Sequence, residues 1–170
     1  ASLYNSTSAF ENRYNGGNYF GGTLDDVRVY NRVLSPGEIT QLYNTPGNIA
    51  SNANATTKPS TSFATEEKAP GPSAYWGFDE GQGQTANDST SNKNAGTFGA
   101  SSASSTDDPS WQPEDQCISG KCLSFDGGDY INIPDSNSLD MTGDLTIEAW
   151  INPSSMPGGV YKTIAEKGSG

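Results

Sequence analysis

Apolar and polar positions alternate with period two over residues 24–31, where Asp25, Val27 and Val29 fall on one face and Asp26, Arg28 and Tyr30 on the other. That pattern predicts a strand with one buried face, and it puts Asp25 in the inward phase. The period then changes. Ser35-Pro36-Gly37-Glu38 supplies an N-cap serine, a proline at the first helical position and a glutamate three residues after the cap, the arrangement in which side chains satisfy the free amides of a helix start. Ile39, Leu42 and Tyr43 form a short apolar stripe, and Thr45-Pro46-Gly47 ends the helix.

Further along, Ser73 to Asp79 reads as an aromatic-rich strand with Tyr75 on one face and Trp76 and Phe78 on the other. Residues 81–110 are rich in Gly, Ser, Asn and Asp around a single large apolar anchor, Phe98, and predict mostly loop. Strands follow at Lys121–Phe125, at Tyr130–Ile133 and at Leu145–Ile151, where Leu145, Ile147, Ala149 and Ile151 oppose Thr146, Glu148 and Trp150. Val160–Ala165 predicts one more. Between the two strand-rich parts, residues 44–73 are dominated by Asn, Ala, Thr, Ser, Lys and Pro, a linker composition.

Two segments carry a family resemblance. Gly22-Thr-Leu-Asp-Asp-Val-Arg-Val-Tyr-Asn-Arg-Val-Leu-Ser35, followed by Glu38-Ile39, resembles the carboxyl end of bacterial laminin-G-like domains of the concanavalin A-like lectin/glucanase fold. Tyr75-Trp-Gly-Phe-Asp-Glu-Gly-Gln-Gly83, Asn87-Asp-Ser89, Cys122-Leu-Ser-Phe-Asp-Gly-Gly-Asp-Tyr-Ile-Asn-Ile-Pro134 and Leu145-Thr-Ile-Glu-Ala-Trp-Ile151 resemble the amino half of the same family. The resemblance implies an all-β, concanavalin A-like jelly-roll β-sandwich, present as two incomplete modules in tandem. Residues 1–47 are then the C-terminal strands and helix of one domain, 48–73 a flexible linker, and 74–170 the N-terminal part of the next. A second arrangement stays open: residues 20–43 fold back onto 74–170, since a random coil of the linker's length spans about 30 Å and first and last strands are neighbours in this family.

Composition narrows the function. The 170 residues carry 20 Gly, 10 Pro and only 17% charged side chains, which suits short strands joined by turns. A net charge of −11 argues against a nucleic-acid surface, which needs clustered Lys and Arg. It permits divalent cations. No run reaches the 18 or more apolar residues of a membrane span. The only two cysteines, Cys117 and Cys122, stand five positions apart around Gly120, close enough for a disulfide across a tight turn; two free thiols are the alternative, and a zinc site lacks further Cys or His ligands. A disulfide implies export, hence an extracellular or cell-surface setting.

The absence of His removes Ser–His–Asp and Cys–His catalysis from this region, and the clustered Glu-x-Asp-x-x-Glu pattern of glucanases of this fold is missing. No enzyme activity is expected. Most acidic residues here read as solvated turn formers, including Asp79-Glu80 at a strand end and Asp88 in an Asx-type turn. Resemblance to the lectin/glucanase fold implies structural calcium at Asp25, with Asp79 and Asp88 as candidate partners and loop carbonyls completing the oxygen set. The expected function is a non-catalytic binding or adhesion module of a large exported protein that recognises carbohydrate or a cell-surface polymer, with neighbouring domains of the same chain as further partners. Trp111, Tyr130, Trp150 and Tyr161 are candidate sugar-stacking residues, although core packing is the expected role of Trp76 and Trp150. The alternatives are a structural spacer repeat and an accessory domain of a glycoside hydrolase.

Overall fold

The computed structural model describes residues 20–47, 70–155 and 162–167. In these residues the chain forms strands β1 (Gly21–Tyr30), β2 (Ala74–Trp76), β3 (Thr85–Ala86), β4 (Gly96–Phe98), β5 (Ser110–Gln112), β6 (Cys122–Asp126), β7 (Ile131–Asn132) and β8 (Thr146–Pro153), with helix α1 (Pro36–Asn44) between β1 and β2. It is an all-β fold of antiparallel sheets. The larger sheet runs β2-β1-β6-β5 with β8 added to β1, and the smaller runs β3-β4-β7.

β1 is an interior strand of the larger sheet and pairs with three others. Along one edge its first half pairs with β6 and its second half with β2, while its other edge pairs with β8 from Gly22↔Pro153 to Tyr30↔Thr146. Residues 20–30 therefore build one sheet with strands from 74–155. The short β3 and β4 are elements that the loop-like composition of 81–110 concealed; Phe98, fully buried, is what anchors β4.

The core lies on one face of this sheet. Leu24, Val27, Val29, Ala74, Trp76, Leu123 and Phe125 pack with Phe98, Ile131 and Ile133 of the second layer, and Trp111 and Ala149 close its margin. Fully burying one such side chain stabilises a fold by about 1.5–3 kcal/mol. Trp76 takes the core role expected of it, with its indole N–H donating to the Asn94 carbonyl at 2.8 Å. Leu145, Ile147 and Ile151 are each about half exposed (51, 47 and 45%), because among the described residues β8 pairs only with β1. The expected strand at Val160–Ala165 lies partly outside the described residues, as does Tyr161.

Helix α1 begins as the sequence predicts. Ser35 Oγ accepts the Glu38 amide at 3.3 Å, and Glu38 Oε2 accepts the Ser35 amide at 2.8 Å. Arg32 adds a 2.6 Å ion pair to Glu38, and this guanidinium bond leads the effects that hold the Glu38 carboxyl down at about 2. The apolar stripe of α1 is not a core face: Ile39 and Tyr43 are exposed, and the helix has no buried residue.

Candidate functional site

On the opposite face of the larger sheet, β1 carries charged side chains, Asp25, Asp26 and Arg28, and yet they are buried. Their arrangement starts from a β-bulge. Asp25 pairs with Trp150 and Arg28 with Glu148, so β1 advances three residues where β8 advances two. Asp26 carries the extra residue with φ +53°, a conformation that Asp tolerates better than most side chains. The bulge resets the alternation. Val27 and Val29 stay inward with Leu24, but Asp25 moves to the outward phase with Thr23, Arg28 and Tyr30. The inward placement of Asp25 expected from strict period two is corrected here. One signal for it is in the sequence: Leu24 and Val27, both inward, are three positions apart rather than two.

Asp25 is nonetheless only 3% exposed, because the loop 116–119 and Trp150 cover it. Its Oδ2 accepts the Ser119 amide at 3.3 Å, while its Oδ1 is buried and has no hydrogen-bond partner among the described residues. Burial, with the neighbouring Asp26 charge adding to it, pushes the Asp25 carboxyl up to about 7. Beside it, Asp26 accepts hydrogen bonds from the Tyr75 hydroxyl and the Gly47 amide, and Arg28 reaches Asp26 at 3.3 Å and Glu148 at 2.6 Å. Arg28 also lies over the Tyr75 ring, 4.2 Å from its centroid. Desolvation raises the Glu148 carboxyl as well. The Arg28 guanidinium thus pairs with two carboxylates, Asp26 and Glu148, in a layer with little water to screen them.

A pocket of about 220 Å³ opens onto Asp25, lined by Thr23, Gln116, Cys117, Ile118, Trp150, Ile151 and Asn152. Tyr43, at the end of α1, stacks on Trp150 with ring centroids 5.4 Å apart and is itself 69% exposed. Trp150 is therefore an outer-face residue, half-buried beside the pocket, and its expected core role is corrected: β8 turns its alternate face, through Ile147 and Ala149, to the core. Tyr43 escaped the sequence reading because its i, i+3 and i+4 spacing in α1 resembles ordinary helix packing. Trp111 packs on Phe98 at 5.3 Å and Tyr130 borders the apolar interior, which places both away from this pocket.

Cys117 and Cys122 are joined by a disulfide. The loop that they close meets two of the three acidic candidates: Asp25 through the Ser119 amide, and Asp79 through the Lys121 amide at 2.9 Å. Gly120, at φ +57°, is required there, since a Cβ would collide with Asp79 Oδ1. Gly47, at φ +74°, packs as closely on the Ser119 side chain. Asp88 stands apart. Its carboxylate accepts the amides of Tyr75, Thr90 and Asn94, the Thr90 hydroxyl and the Asn94 side-chain amide, so its lone pairs serve the turn that bridges to β2. Among the described residues, no three Asp, Glu, His or Cys side chains converge as a metal-binding group. Of the three acidic candidates, Asp25 is the one with a buried oxygen that has no hydrogen-bond partner among the described residues. Among the described residues no helix is long and apolar enough to cross a membrane.

No family model, curated protein or solved structure matches this chain.

Proposed function

We propose that this chain is a non-catalytic binding or adhesion module of the laminin-G-like, concanavalin A-like jelly-roll type, part of a larger exported protein, recognising carbohydrate or a surface polymer with calcium at Asp25. The observation that carries the reading is the outer-face pocket, where the donorless oxygen of buried Asp25 lies beside Trp150 and Asn152, with Tyr43 stacked on the indole. Aromatic faces beside hydrogen-bonding side chains suit a sugar ring, which presents C–H groups to the one and hydroxyls to the other. Asp25 would hold calcium together with backbone carbonyls and water; the ion would supply positive charge and fix the loop 116–119. The disulfide favours an exported setting.

A glycan array probed in calcium and in chelator tests the reading. The expected result is calcium-dependent binding to a restricted glycan set, lost in Trp150→Ala and in Asp25→Asn. Binding that ignores both substitutions would overturn this pocket as the site.

A further inference from the structure

The two cysteines differ in their surroundings. Cys122 belongs to β6, is fully buried and pairs across the sheet with Gln112 of β5. Cys117 follows a single 3-10 turn (Glu114–Gln116), is half-buried and lines the Asp25 pocket. One end of the loop is thus fixed in the sheet and the other is not. Between them, Ile118 and Gly120 are exposed, and the Ser119 and Lys121 amides hold Asp25 and Asp79. The sulfur bridge is the covalent tie that keeps the Cys117 end over the pocket.

We propose that the Cys117–Cys122 disulfide is a redox latch on the Asp25 pocket: oxidised, it seats residues 117–121 against Asp25 and Asp79, and reduced, it releases that wall while the sheet stays folded. The inference rests on the reading of this pocket as the ligand and calcium site. The reductant is an external dithiol. Its thiolate attacks the more accessible Cys117 Sγ and the S–S bond breaks, with Cys122 Sγ leaving as a thiolate that takes up a proton. The second thiol of the reductant then displaces Cys117 and closes its own disulfide. Two electrons pass to the protein, which ends with two thiols.

The test titrates calcium chloride calorimetrically into the full chain, oxidised and in dithiothreitol, and follows amide hydrogen exchange by NMR in both states. Reduction should weaken calcium binding at least tenfold and speed exchange at Ser119 and Lys121 at least tenfold, with the β1 and β6 amides still protected. Cys117→Ser combined with Cys122→Ser should match the reduced chain; if that variant does not fold, the reduced wild type decides. Unchanged exchange at Ser119 and Lys121 overturns the latch, and so does loss of protection in β1 and β6, which would make the bridge a staple of the whole fold. An oxidised chain that takes up no calcium overturns the calcium reading alone, and the exchange rates then judge the latch by themselves.

Discussion

On one face of β1, Leu24, Val27 and Val29 meet Trp76, Leu123, Phe125 and Ala149; on the other, Asp25, Asp26 and Arg28 meet Tyr75, Glu148 and Trp150. Both faces are buried at β1. The first is held by shape and by exclusion of water, and tolerates hydrophobic exchange as long as volume is kept. The second is held by matched charges and hydrogen bonds, and each group depends on its partners because desolvation has already been incurred. Among the described residues, the second face holds Asp25 Oδ1 buried without a hydrogen-bond partner, a desolvation cost that the apolar face does not carry.

The largest expected effect breaks the charged layer. Arg28→Met should destabilise by about 3–5 kcal/mol, because it strands Asp26 and Glu148 without their cation. Adding Asp26→Asn and Glu148→Gln should recover a substantial part. Trp76→Ala, about 3–5 kcal/mol on the apolar face, should show no such rescue from polar substitutions. Denaturant unfolding of the single and combined variants separates the two faces.

Next in size is the disulfide. Its closed loop is short, so loss should cost about 2 kcal/mol of unfolded-state constraint, measured by unfolding with and without reductant.

Asp25→Asn should change sign with conditions. The native carboxyl lies at about 7, above its unfolded value of 3.8, so the folded state binds more protons between these limits and wild-type stability falls as pH rises through that window. In chelator at pH 8 the Asn variant should be the more stable by about 1–3 kcal/mol, as a neutral amide avoids the buried charge. In saturating calcium the order should reverse. Melting curves of both proteins in both buffers check it, and a wild type insensitive to calcium would remove the metal from this face.

The smallest effect lies at the rim. The Glu38 carboxyl is lowered from 4.5 to about 2, so its contribution is complete above pH 4.5 and is lost as pH falls through 2. Glu38→Ala should cost about 1 kcal/mol at pH 7 and almost nothing at pH 2.

Much of the local structure is legible in the chain. The capping box at Ser35 and Glu38 predicts α1 because capping acts within one helical turn, and the alternation at 145–151 predicts β8 because its period is two. The close spacing of Cys117 and Cys122 leaves the disulfide as one of two readings, and the structure chooses it. Beyond these, tertiary structure decides. The side of β1 that Asp25 occupies depends on a bulge forced by pairing with β8, an element more than a hundred residues away. Whether Asp88 is available to a ligand depends on five donors that a turn folds around it, and whether Asp25 is buried depends on the disulfide loop that leads into β6. Residue type and spacing report the periodicity of a strand, but the partner across the sheet sets the register, and register is what determines which carboxylates share a face.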